Sequence, residues 1–274
     1  MSVVSSATAL TAARAEGRGA LIGYLPVGYP TVPGSLEALR TLCGADGETA
    51  GVDLVEIGLP YSDPVMDGPV IQRAGTRALE RGVRTRDVFT AVETVRAAGR
   101  PAVVMTYWNL VDHYGVEAFA RDLANAGGSG LITPDLVPDE ASDWLAASEA
   151  FGLDRVFLVS PSSTDERIVS TTAAARGWLY ATAVMGVTGT RARTSDAAPR
   201  LVERIRSLAP DTLVGVGLGV SNGDQAAEVV SFADAVIVGS AFIKPLLAAE
   251  DAGRPDDLSG LRSVVADLAA GVRR

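Results

Sequence analysis

Residues 212–239 read TLVGVGLGVSNGDQAAEVVSFADAVIVG. Two short runs inside this stretch, 212–217 (TLVGVG) and 235–239 (AVIVG), are apolar and rich in valine, with no polar residue alternating through their centres. A strand with one wet face alternates apolar and polar side chains, whereas an unbroken run is the pattern of a strand covered on both faces. Between the two runs, 222–231 (NGDQAAEVVS) has helical spacing. It opens on Asn222, a residue type whose side chain accepts from the backbone of a first helical turn. Buried strand, helix, buried strand is a crossover unit, and such a crossover joins parallel neighbours.

The same alternation extends to both ends of the chain. Six more apolar runs lie at 21–28 (LIGYLPVG), 52–58 (VDLVEIG), 102–107 (AVVMTY), 130–133 (GLIT), 155–159 (RVFLV) and 178–182 (WLYAT). Helix-period segments fall between and after the runs, at 34–43, 85–98, 116–126, 140–150, 164–175, 198–208 and 257–270. Gly44 and Gly99 follow two of these as C-terminal stops, and Thr85 opens the second as a cap. Eight such units predict an α/β fold, a single (β/α)8 TIM barrel, with a doubly wound sheet as the competing architecture. No linker or low-complexity tract divides the chain, and 44–51 (GADGETAG) reads as a polar loop. The expected organisation is one barrel domain over 1–274, with 1–18 an N-terminal helix that plugs the barrel bottom and 19–274 the barrel itself.

Composition bounds the chemistry. With 274 residues, 47% apolar and 21% charged, the chain has enough apolar surface to offset chain entropy. No uncharged apolar run approaches the ~18 residues of a membrane span. The first residues carry no basic segment ahead of a hydrophobic stretch, so a secretory leader is not expected. One cysteine, Cys43, excludes an internal disulfide and a cysteine metal cluster, and one histidine, His113, excludes a histidine zinc site. A Ser-His-Asp triad would have to use His113. These features point to the cytoplasm. A net charge of −9, from 24 Lys+Arg against 33 Asp+Glu, argues against nucleic acid as the main ligand. It still allows a small phosphorylated ligand held by backbone N–H groups.

Active sites of parallel barrels sit at the C-terminal ends of the strands, which narrows the search. Glu56 lies inside the apolar run Leu54-Val55-Glu56-Ile57, where burial raises a carboxyl pKa toward the working range of an acid or base; a salt-bridged strand-end glutamate is the plain alternative. The loop at 60–69 (PYSDPVMDGP) packs three prolines, two aspartates and a glycine into ten residues, stiff enough to hold Asp67 over the mouth. Gly215, Gly217 and Gly219, with Ser221-Asn222, and then Gly239-Ser240, end the last two runs, the usual phosphate site of such barrels. Residues 186–191 (GVTGTR) read as a glycine-hinged lid. His113 is expected on the surface, Cys43 as structural, and Trp108 either in packing or against ligand. Lys244, the sole lysine, stands just past the last run and is no Schiff-base candidate. The residues thus predict a barrel enzyme acting on a small phosphorylated substrate by carboxylate acid–base chemistry, with no metal and no cofactor.

Residues 55–72 (VEIGLPYSDPVMDGPVIQ) closely resemble the signature of the tryptophan synthase alpha chain family. The resemblance continues through Gly28-Tyr29-Pro30, Tyr107 and Asn109, Pro134-Asp135-Leu136, Gly186-Val187-Thr188-Gly189, Gly217-Leu218-Gly219-Val220-Ser221 and Gly239-Ser240-Ala241. It implies retro-aldol cleavage of indole-3-glycerol phosphate to indole and glyceraldehyde 3-phosphate. Glu56 takes the place of the family's acid–base glutamate and Asp67 that of its catalytic aspartate. Tyr180, Thr188, Gly189, Gly217, Gly219, Gly239 and Ser240 take the substrate-binding places. The family pairs with a separate pyridoxal-phosphate beta chain, in an expected alpha2-beta2 assembly. Three departures stand out: Tyr29 where many members carry aspartate, Met66 in place of a small residue, and Ala183-Val184 where a serine is common. A stand-alone indole-glycerol-phosphate lyase and another phosphate-binding barrel enzyme, such as a sugar-phosphate isomerase, remain as alternatives. A non-catalytic activating subunit is a further one, against which the presence of both Glu56 and Asp67 argues.

Overall fold

The computed structural model describes residues 3–182 and 197–274. Its strands are β1 (Ala20–Pro26), β2 (Leu54–Gly58), β3 (Ala102–Met105), β4 (Gly130–Ile132), β5 (Asp154–Val156), β6 (Leu158–Val159), β7 (Leu179–Thr182), β8 (Val214–Gly217) and β9 (Ala235–Val238). Its α-helices are α1 (Ala7–Ala15), α2 (Val32–Leu42), α3 (Pro69–Glu80), α4 (Asp87–Ala97), α5 (Trp108–Tyr114), α6 (Val116–Asn125), α7 (Ser142–Phe151), α8 (Asp165–Ala174), α9 (Ala197–Leu208), α10 (Gly223–Val230), α11 (Ser240–Asp251) and α12 (Ser259–Gly271). Among the described residues the nine strands form one sheet in the order β5-β4-β3-β2-β1-β9-β8-β7-β6, and every ladder is parallel.

The two end strands of that order are one run of chain. Only Phe157 separates β5, which pairs with β4, from β6, which pairs with β7. The fifth apolar run therefore joins both ends of the sheet, and Tyr180 N donates to the Phe157 carbonyl at 3.0 Å across the join. Eight apolar runs thus give nine strands and a nearly closed barrel. The doubly wound alternative is set aside, because its strand order reverses at a switch point. Here the order passes round the molecule without reversal.

Alternate residues of each strand face the barrel interior or the helices. Ala20, Ile22, Leu54, Val103, Ile132, Val156, Trp178, Tyr180, Ala235 and Ile237 form the interior cluster. Leu21, Val55, Ile57, Val104, Leu131, Leu179, Val216, Val236 and Val238 pack outward on the helical layer. Both faces are dry, which is why the runs show no alternation. The N-terminal helix packs under the barrel: Leu10 and Ala13 of α1 join the interior cluster. Ser6 N and Oγ each donate to Asp154 at 2.6 Å, and Trp178 Nε1 donates to Ser6 Oγ at 3.1 Å, which anchors α1 to the barrel.

Several helix starts differ from the periodicity, each for a local reason. Helix α2 begins at Val32 because Thr31 Oγ1 accepts from Gly34 N at 3.0 Å and the proline falls in the first turn, where it is tolerated. Thr85 does not cap α4. Arg86 occupies the cap position, and Asp87 Oδ2 instead accepts from Arg84 N at 2.7 Å. Residues Pro138–Glu140 form a separate 3-10 turn before α7. Helices α3, α5 and α11 have no counterpart among the helix-period segments of the sequence. Helix α3 fully buries only Ala74, Gly75 and Ala78, with Val70, Ile71 and Leu79 partly buried against the core, and it starts at Pro69, the last residue of the proline-rich loop; α5 is seven residues long; α11 contains Pro245.

Candidate active site

Strand β2 places Glu56 opposite Tyr24 of β1 and Val103 of β3. Parity with Leu54 turns it inward, as the sequence predicts. Its side chain is 1% exposed, and its Oε2 has no hydrogen-bond partner among the described residues. Burial, reinforced by the charge of Asp67, pushes the carboxyl up to about 8. A buried acceptor without a donor costs about 1–3 kcal/mol, so a structural role explains it poorly.

Asp67 lies in the loop between β2 and α3, directly before Gly68, the cap position of α3. It is half-buried, and burial pushes it up to about 6. The loop is tied on both sides of this residue. Met66 N donates to Tyr107 Oη at 3.0 Å, and Gln72 Nε2 donates to the Asp67 carbonyl at 2.8 Å. The rings of Tyr61 and Tyr107 pack with centroids 5.0 Å apart.

Tyr180 of β7 is buried and stacks on Trp178 with centroids 5.9 Å apart. Burial raises its phenol well above the ordinary value, and the nearby Glu56 and Asp67 charges raise it further. Tyr24 is shifted in the same way, by burial and then by Asp67 and Glu56, so two phenols and two carboxyls share one space. Tyr24 was missed in the sequence; its signal was the two-residue step from Ile22 on β1, which turns it inward beside Glu56.

Glycines of the wall make room for these rings. A Cβ at Gly217 would lie 2.5 Å from the Tyr180 hydroxyl, and one at Gly58 would collide with the Tyr24 hydroxyl. A Cβ at Gly239 would stand 3.2 Å from Tyr24 Cδ1. Gly217 and Gly239, singled out in the sequence for phosphate, thus also have a packing reason. Gly219 adopts φ +76°, the left-handed region open to glycine. The two helix N-termini nearby differ. At α10, Asn222 Oδ1 accepts from Gln225 N at 3.0 Å and Asp267 Oδ2 accepts from Gly223 N at 2.8 Å, so its donors are engaged. At α11, Gly239 holds the cap position and Ser240 the first, with no side-chain cap among the described residues. Helix α11 is therefore the terminus whose first-turn N–H groups suit an anion.

Thr188 and Gly189, with the whole 186–191 segment and Ala183-Val184, lie outside the described residues. His113 is exposed on α5, Cys43 is buried, and Trp108 packs partly buried against the core. Among the described residues no three His, Cys, Asp or Glu side chains cluster as metal ligands. A cleft of about 610 Å³ at the opposite end of the barrel is lined by Arg14, Arg18 and Arg206. Arg14 and Arg206 sit in the last turns of α1 and α9, where a cation offsets the helix macrodipole, and the cleft holds none of the groups above.

A parallel (β/α)8 barrel with two carboxyls of unequal surroundings at its mouth, and a helix N-terminus without a side-chain cap nearby, has the groups that acid–base chemistry on a small anion requires. Residues 10–269 match the tryptophan synthase alpha chain family. The tryptophan synthase alpha chains of Salinispora tropica and Mycobacterium marinum are 59% and 58% identical over 261 residues, covering 95% of this chain and 95% and 92% of theirs. A solved structure of Mycobacterium tuberculosis tryptophan synthase superposes with a TM-score of 0.91 at 53% identity, over 99% of each chain. The tryptophan synthase alpha subunit of Legionella pneumophila superposes at 0.83 with 28% identity, over 98% of this chain and 99% of that one. The chain belongs to the tryptophan synthase alpha chain family.

Proposed function

We propose that Glu56 and Asp67 divide one reaction between them. The family's reaction is the lyase half-reaction of tryptophan biosynthesis, cleavage of indole-3-glycerol phosphate to indole and glyceraldehyde 3-phosphate, and this chain is a lyase of that type. Glu56 enters protonated and gives its proton to indole C3, which makes the ring an electron-poor indolenium. Asp67, ionised, accepts a hydrogen bond from the indole N–H and stabilises the positive charge that develops there. Glu56, now a carboxylate, takes the proton of the hydroxyl on the side-chain carbon bonded to C3. The C–C bond breaks, its electrons return to the ring, and the new carbonyl leaves as the aldehyde. The proton balance closes on Glu56. One carboxyl must cycle while the other stays charged, and their unequal surroundings separate them in that sense.

The observation that carries this reading is the buried Glu56 carboxyl beside the Asp67 charge, with its Oε2 without a hydrogen-bond partner among the described residues. The substrate phosphate is assigned to Gly219, Gly239 and Ser240, with Gly217, Tyr180, Thr188 and Gly189 around the substrate. A beta chain is the partner, in an alpha2-beta2 complex, and the cytoplasm is the compartment; no helix among the described residues is long and apolar enough to cross a membrane. The whole of 1–274 is taken as one barrel domain. Indole release from indole-3-glycerol phosphate by the purified chain, with and without beta chain, tests the function. Absence of indole in both conditions overturns it. A crystal soaked in phosphate is expected to show the anion at Gly219 and Ser240; an anion held by an arginine cluster elsewhere refutes that assignment.

A further inference from the structure

Helix α11 ends on Glu250 and Asp251, two acidic residues in a last turn, where they oppose the helix macrodipole. Their partners explain the placement. Arg73, Arg77 and Arg81 recur every fourth residue along α3 and its C-terminal cap, which lines them on one stripe. Arg73 donates to Asp251 at 2.6 and 2.8 Å, and Arg77 donates to Asp251 at 3.2 Å and to Glu250. Arg81 donates to Glu250 and, at 2.6 Å, to the Pro30 carbonyl. Tyr29, 1% exposed, donates its hydroxyl to Glu250 Oε2 at 2.6 Å. Tyr29 is one of the family departures noted in the sequence. A phenol here gives Glu250 a donor, where an aspartate carboxylate would only accept.

Glu250 thus binds donors from two other elements, and each of the three elements carries part of the site. The chain of β1, which leads into Tyr29, holds Tyr24 beside Glu56. Helix α3 starts at Pro69, two residues after Asp67. Helix α11 presents its uncapped N-terminus at Ser240. We infer that Glu250 is a positioning residue whose ion-pair cluster with Tyr29, Arg77 and Arg81 fixes the anion-binding terminus of α11 relative to Asp67. Occupancy of that terminus by the substrate phosphate then holds the carboxyl pair in its working arrangement. The inference rests on the proposed function, in which the phosphate sits at α11.

The test compares indole-3-glycerol phosphate with indole-3-glycerol, the same compound without phosphate. For the wild-type chain, kcat/KM is expected to favour the phosphorylated compound. E250Q keeps the side-chain volume and removes the charge. It is expected to lower kcat/KM on the phosphorylated compound about tenfold, while the value on indole-3-glycerol stays within about twofold. Y29F removes one hydrogen bond, gives a smaller loss in the same direction, and serves where E250Q fails to fold. Equal losses on both compounds, or no loss on either, overturn the inference and leave the cluster as a fold brace. A wild-type chain that releases indole from neither compound overturns the function itself, and the positioning role falls with it.

Discussion

Glu56 shows how a fold sets the chemistry of one carboxyl. Its neighbours on β2 are apolar, its Oε2 has no donor among the described residues, and its proton is held to about 8. E56Q keeps the shape but cannot exchange a proton, so turnover is expected to fall by ~10²–10⁴. Near-normal turnover of this variant would refute the acid–base role. The same shift governs stability. The unfolded carboxyl releases its proton near its ordinary value of about 4.3, whereas the folded one keeps it to about 8. Between those values the folded state binds the extra proton, so stability declines as pH rises through that window. E56Q removes this decline. Its melting temperature relative to wild type is expected to be higher at pH 8.5 than at pH 5, and a relative stability that does not change with pH would show that Glu56 ionises normally. In catalysis, ionisation of Asp67 near 6 and loss of the Glu56 proton near 8 predict a bell-shaped kcat/KM profile. The two interact, so the limbs belong to the pair. D67N is expected to remove the acid limb.

At the scale of elements, the site depends on how loops and strands hold its side chains. The loop carrying Asp67 is tied to the end of β3 by the bond from Met66 N to Tyr107 Oη. Y107F deletes that acceptor, worth about 1 kcal/mol. Activity is expected to fall roughly fivefold, with little change in melting temperature; an unchanged rate would show that the bond does not position the loop. In the wall, β7 and β8 fit because interior positions of β8 lack side chains: a Cβ at Gly215 would lie 2.8 Å from the Trp178 ring, as one at Gly217 would press on Tyr180. G217A overpacks this contact and is expected to destabilise the chain by about 1–3 kcal/mol in denaturant melts. It also shifts Tyr180 and lowers turnover. A fully stable, fully active G217A would mean that the wall yields freely.

For the whole molecule, the mouth end is where a partner matters. Val65 and Val137, two of the three large apolar side chains exposed among the described residues, stand in the loops after β2 and β4. Indole is neutral and apolar, and escapes into solvent unless a closed route leads to its next site. The isolated chain is expected to release indole slowly, and a beta chain to raise the rate by ordering the 60–69 loop that bears Asp67. A Pro64 substitution should weaken this activation more than basal activity. Steady-state rates with and without beta chain measure both, and a rate indifferent to beta chain would favour a stand-alone lyase.

Strand positions were legible in the sequence because a doubly buried strand needs an unbroken apolar run, and that demand acts locally on consecutive residues. Glu56 was legible for the same reason, as a carboxylate interrupting such a run, and Asp67 as one of two aspartates in a proline-stiffened loop. Helices α3 and α11 were not, since α3 starts on Pro69 at the end of a proline-rich stretch that reads as loop, and Pro245 interrupts α11. The tertiary structure alone decided how the fifth run closes the barrel, because pairing one short run with both β4 and β7 is a property of the closed ring. It also chose α11 over α10 as the free terminus, since Asp267 reaches Gly223 from 44 residues away. Tyr24 and the Glu250 cluster belong to the same class. Their meaning lies in which distant groups the fold brings within a hydrogen bond, and no local pattern encodes that distance.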